Sequence, residues 1–205
     1  MFEKTDMRAV RAEFLGTFFL VFIGLSVADG GDALNTALAF GIALMGLMMV
    51  IGPVSGCHVN PAVTIGNYMS RNMDQDDTVA YLIGQGLGAT VAAFAMSDDG
   101  VSGMDDGNGK VIVTAFVGTA FFMMVLMNVT KGGFDIGSSW AAGGALFLVV
   151  LLGFDVNPAL DFGGDFYAAL TVDGTGFGDI EWNTIAGPVL GAVGGIAIWD
   201  NLVGD

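Results

Sequence analysis

Two Asn-Pro-Ala tripeptides constrain this chain more than any other feature: Asn60-Pro61-Ala62 and Asn157-Pro158-Ala159. Asn before Pro is a helix start. The Asn side chain accepts from the free N–H groups of a first turn, and Pro, with a fixed φ and no N–H, suits the first helical position. Each copy follows a long apolar run. Each precedes a stretch that reads as half a helix, Pro61 to about Arg71 and Pro158 to about Leu170.

The surrounding composition decides what two such starts can mean. The chain is 54% hydrophobic and 13% charged, with mean hydropathy +0.70 and 33 glycines. An ordinary soluble domain is about 25% charged, and glycine is enriched where membrane helices approach closely. The reading is an all-α integral membrane protein. Six stretches are apolar and long enough to span, approximately 9–28, 33–54, 78–97, 111–129, 138–153 and 182–203, the fifth being the shortest. Span 1 carries Glu13-Phe14-Leu15-Gly16-Thr17-Phe18-Phe19, and span 4 carries Ala115-Phe116-Val117-Gly118-Thr119-Ala120-Phe121. Spans 2 and 5 each lead to a tripeptide. The whole chain, 1–205, therefore reads as one channel domain made of two copies, approximately 1–100 and 108–205. Three spans per copy is an odd number, so the copies run in opposite directions across the bilayer. Such inverted repeats place their site near the midplane.

Two half-helices entering from opposite faces would meet at their N-termini. Irregular backbone at membrane depth persists only where protein buries it or water lines it, so the meeting point implies a water-lined path. Asn60 and Asn157 would cap the half-helices and offer amide donors to what passes. The two positive dipole ends would disfavour a proton or cation there.

Charge and rare residues narrow the alternatives. Five of the six basic residues (Lys4, Arg8, Arg11, Arg71, Lys131) fall on one side of a six-span topology and Lys110 on the other. The positive-inside rule then puts both termini in the cytoplasm. The N-terminus has no cleavable signal pattern. A net charge of −15 makes nucleic acid a poor partner. The acidic residues, Asp29, Asp98, Asp99, Asp105, Asp106, Asp173 and Glu181 among them, fall in loops on the outer side and read as solvation of those loops. One cysteine, Cys57, and one histidine, His58, leave no intramolecular disulfide and no multi-histidine metal site, and no cofactor is expected.

These residues resemble the aquaporin, or major intrinsic protein, family over almost the whole chain. The strongest pieces are Ala12-Glu13-Phe14-Leu15-Gly16-Thr17, the stretch from Ser55 to Thr64, Gln85, the second tripeptide, and Trp182 with Gly187-Pro188. The resemblance implies six tilted helices plus two half-helices in an inverted repeat, one pore per subunit and a homotetramer in membrane lipid. It also implies an outer filter of four positions, which here are Phe40, Val150, Phe154 and Leu160. The family usually has Arg where Leu160 stands. Gly153-Phe154 before the second motif and Asp161-Phe162-Gly163 after it lean toward the glycerol-conducting branch.

Each remaining polar residue has two readings. The carbonyls near Cys57, His58, Asp155 and Val156 would face solutes, whereas the Cys57 side chain reads as packing. Glu13 is an ionisable group inside a span, and its structural role would be to accept from the irregular backbone before a tripeptide; its mate in the second copy is Ala115. Asp161 reads as a first-turn cap of the second half-helix or as part of a cation-attracting vestibule beside Asp155. The expected function is passive passage of water and small uncharged solutes such as glycerol or urea. A cation-leaky channel, motivated by Leu160, and a closed structural member are the competing expectations. No nucleophile–base set can be assembled, so an enzyme is not expected.

Overall fold

The computed structural model describes residues 4–28, 32–96, 110–172, 174–180 and 182–203, and every regular element among them is helical. The acidic loop residues Asp29, Asp98, Asp99, Asp105, Asp106, Asp173 and Glu181 lie outside the described residues. In chain order the α-helices are α1 (Met7–Ala28), α2 (Ala33–Ser55), α3 (Pro61–Met69), α4 (Gln75–Ala95), α5 (Lys110–Lys131), α6 (Ile136–Leu151), α7 (Ala159–Thr171) and α8 (Asn183–Leu202). Among the described residues, α1, α2, α4, α5 and α8 are long and apolar enough to cross a membrane. The sixth expected span, α6, is 16 residues and rises about 24 Å, shorter than a typical hydrocarbon core.

Caps move the boundaries away from the hydropathy reading. Asp74 accepts from Asp77 N at 2.9 Å and starts α4 three residues before the apolar run at 78. Asp135 forms a capping box with Ser138 and starts α6 at Ile136, not 138. The Ser138 backbone and hydroxyl hold the Asp135 carboxyl below the usual carboxylate range. A depressed folded-state pKa contributes stability above the unfolded pKa and loses it as pH falls through the folded value. Hydrogen-exchange protection at Ile136–Ser139, taken relative to the intrinsic rate at each pH, should therefore fall only once pH drops below the ordinary aspartate range, and Asp135→Ala should remove that pH step.

Helix pairing follows the two-copy order. α1 packs on α4 as α5 packs on α8, α1 on α2 as α5 on α6, and α3 on α8 as α7 on α4; α2 and α6 join the copies. Glycine sets the distance at several of these crossings. A Cβ on Gly88 of α4 would lie against the Phe14 carbonyl of α1, and one on Gly191 of α8 against the Phe116 carbonyl of α5. Gly163 of α7 approaches Ala89 at 2.8 Å, and Gly66 of α3 approaches Ala192 at 2.8 Å, by the same measure. Without a hydrophobic force between helices in lipid, such small-residue contacts supply the packing. The outward faces carry exposed Leu15, Phe19, Ile42, Val50, Ile83, Val113 and Leu190, as a lipid-facing surface should.

Candidate functional site

Asn60 is the N-cap of α3 with Pro61 in the first turn, and its Oδ1 accepts from Ala62 N at 2.8 Å. α7 begins at Ala159, one residue later than the matching position, yet Asn157 Oδ1 still accepts from Ala159 N at 3.1 Å. The two amides also cross over. Asn60 Nδ2 donates to the Val156 carbonyl at 2.8 Å, and Asn157 Nδ2 donates to the Val59 carbonyl at 3.0 Å. Each half-helix start is thereby fastened to the backbone just before the other. A primary amide has two N–H donors, so one on each asparagine remains for another acceptor. Both residues are buried, at 2% and 4% exposure, so that acceptor lies within the protein's interior.

This reciprocal clasp changes the standing of one expected pore carbonyl. The Val156 oxygen already accepts a hydrogen bond from Asn60, and its mate Val59, which sequence reasoning missed, accepts one from Asn157. The available signal was the shared Val before each Asn.

The loop before the first motif is shaped by Glu13. This fully buried side chain on α1 accepts from Ser55 Oγ (2.6 Å), His58 N (2.9 Å), Val59 N (2.7 Å) and Gln85 Nε2 (2.8 Å). Four donors replace the water it lost. Cys57 and Val59 have φ of 52° and 42°, left-handed values that strain a non-glycine residue and are worst for β-branched Val. Those values turn successive N–H groups to one carboxylate. Among the described residues every peptide is trans, so the Cys57 and His58 carbonyls point opposite to the following N–H groups, away from Glu13.

The network continues to the histidine. Gln85 Nε2 donates both to Glu13 and to Thr64 Oγ1, at 2.9 Å for the latter. Thr64 Oγ1 in turn lies within hydrogen-bond distance of Nδ1 on the His58 ring, at 3.1 Å. The ring packs edge-on against Tyr81, whose hydroxyl donates to the Ser55 carbonyl at 2.9 Å. Beyond it opens a polar cavity of about 350 Å³, bordered by Ser55, His58, Asn67, Asp74, Asp77 and Tyr81.

The second copy is built differently. Ala115 stands where Glu13 would repeat, and it is buried. Here Phe154 N donates to the Val149 carbonyl at 3.0 Å, and Phe154 and Val156 close on Gly118 of α5. Asp155 Oδ1 faces Asn157 N at 3.3 Å. Asp161 is buried in the first turn of α7, at 6% exposure, so it does not sit on an open mouth. The structure gathers Phe40, Val150, Phe154 and Leu160 around one cavity of about 10 Å³ that reaches Asn157. No cluster of three or more metal-ligating side chains occurs among the described residues.

Two half-helices clasped at their N-termini, between a polar cavity and an apolar neck, define a membrane channel. The family profile described as Major intrinsic protein matches residues 1–199, and this chain belongs to that family of channels. It is 36% identical to the glycerol uptake facilitator protein-like 6 of Lactiplantibacillus plantarum, over 91% of this chain and 94% of the relative. It is 32% identical to aquaporin AqpM of Methanothermobacter thermautotrophicus, over 89% and 92% respectively. Aquaporin Z of Brucella melitensis is 30% identical over 97% of this chain and 99% of its own. The X-ray structure of the aquaglyceroporin from Plasmodium falciparum superposes with TM-score 0.78, covering 96% of each chain at 23% identity, a likeness of fold.

Proposed function

We propose that this protein is a passive channel that passes water and small uncharged solutes, glycerol and urea among them, between the half-helices. The observation that carries this reading is the clasp: both amides keep one N–H while their oxygens and other N–H groups are held by backbone. A solute oxygen can take those donors in turn, and the converging positive helix ends oppose a cation at the same point. The relatives named as glycerol facilitator and aquaporins support the same solute class. Both termini are cytoplasmic, with Lys4, Arg8, Arg11, Arg71 and Lys131 on the inner side, and the working form is a homotetramer in lipid. The carbonyls of Cys57 and His58 line the inner half of the path, and those of Asp155 and Val156 the outer half. The filter is Phe40, Val150, Phe154 and Leu160. Glu13 and Asp161 hold the walls.

Purified protein in vesicles tests this by stopped-flow light scattering. Water and glycerol permeability should exceed that of empty vesicles, with no ionic current. Asn157→Ala removes a cap, a pore donor and the partner of the Val59 carbonyl, a loss of about 2 kcal/mol of stability. Permeability per folded protein should fall by about tenfold, the effect of one transition-state hydrogen bond. Flux equal to that of empty vesicles in the parent protein would reject the channel.

A further inference from the structure

The two ends of the path differ in chemistry. The cavity beside His58 is bordered by Ser55, Asn67, Asp74, Asp77 and Tyr81. The cavity beside Leu160 is walled by Leu20, Phe40, Leu146, Val150, Phe154 and Leu160, with the Val156 segment and Asn157 at its inner end. Its volume, about 10 Å³, is that of a single water site. Phe40, Leu160 and Val150 are almost wholly buried, at 1%, 4% and 7% exposure, so neighbours hold them against the neck. None of the six basic residues belongs to α2, α6, α7 or residues 152–158, and the two on α1, Arg8 and Arg11, lie nine or more residues before Leu20, so no cationic donor stands beside the neck.

A solute in this neck meets hydrocarbon on every lateral side. Its hydrogen-bonding groups find partners only at the inner end, at Asn157, where one amide proton is already committed to Val59, and at the Asp155–Val156 carbonyls, of which Val156 already accepts from Asn60. A hydroxyl taken from water into such a site without a partner is penalised, and an apolar group is not. Apolar constrictions also exclude ions by dewetting. We infer that Leu160, with Phe40, Val150 and Phe154, makes this outer neck a filter that ranks neutral solutes by the number of hydroxyls they must dehydrate. Its preferred class is small neutral molecules with an apolar edge and few hydroxyls. This inference rests on the channel reading above and names the solute class within it.

Glycerol and 1,2-propanediol differ by one hydroxyl at nearly equal size and form the test pair. Permeability of each is measured in vesicles with and without protein, and the protein-dependent part is compared. The expected propanediol-to-glycerol ratio is about ten, the effect of one partnerless hydroxyl. Leu160→Asn places an amide of similar volume in the wall and should bring the ratio close to unity. Leu160→Arg should do so more strongly, and the asparagine variant serves if a buried arginine prevents folding. A ratio at or below unity in the parent protein overturns the inference, as does a ratio that both conducting variants leave unchanged. Absence of protein-dependent flux for water and both solutes would overturn the channel reading itself, which separates the two failures.

Discussion

Glu13→Ala is expected to unfold the path's inner half and to abolish protein-dependent water flux. The substitution leaves four donors facing a void: the Ser55 hydroxyl, the His58 and Val59 N–H groups and the Gln85 amide. Ser55, Val59 and Gln85 are buried, so water does not simply replace the lost acceptor. Each buried donor left unmade costs about 1–3 kcal/mol, which puts the total on the order of 5 kcal/mol. The strained φ angles of Cys57 and Val59 then lose the carboxylate that gathers the His58 and Val59 N–H groups, and the loop relaxes away from α3. The Val59 carbonyl would carry the Asn157 clasp with it. Glu13→Gln separates charge from geometry. It keeps one acceptor oxygen but turns an NH2 group toward donors, so it should fall between the parent and alanine. Thermal midpoints in detergent and water permeability of reconstituted vesicles read both effects. A parent-like midpoint for Glu13→Ala would show that the loop is held by packing alone.

The same carboxylate shows what a linear reading can reach. Asn60 and Asn157 announce themselves because a cap before a proline is a local signal. An ionisable Glu13 within an apolar span also asks for local donors, and the backbone before the first motif was a reasonable place to seek them. Gln85, Thr64 and Tyr81 are harder, because the bonds from Glu13 to Gln85 and from Tyr81 to Ser55 join residues 72 and 26 apart. Nothing in either segment states that they meet. The clasp is similarly nonlocal: it needs the two half-helix starts at one depth, and its acceptors are carbonyls, which every residue has. Helix ends moved where Asp74 and Asp135 begin their helices ahead of the apolar runs. The four apolar neck residues could be named from a resemblance, yet their closeness depends on how α2, α6 and α7 pack. The abundance of glycine was visible, but which carbonyls the glycines lie against was not.

Gly88→Val tests that last point and should be as damaging as loss of Glu13. A Cβ at Gly88 would fall inside contact distance of the Phe14 carbonyl and 3.1 Å from Phe18 N. Both are backbone atoms of α1, so no rotamer change relieves them; α1 and α4 must separate. Overpacking of this kind costs about 1–3 kcal/mol in a compliant core and more where backbone is the obstacle. The damage reaches the path because Gln85 lies on α4 one turn from Gly88, and Glu13 is next to Phe14 on α1. Their 2.8 Å bond spans the interface that is forced apart. Gly46→Ala is the matched control. It adds a methyl group at an exposed position of α2 with nothing within 4 Å. Alanine is favoured over glycine in a helix by about 1 kcal/mol, so this variant should melt at or slightly above the parent temperature. Gly88→Val should lose the cooperative transition and the water flux together. Retention of both would mean that α1 and α4 have room to slide, and that the distance between them is not what fixes the carboxylate in the wall of the channel.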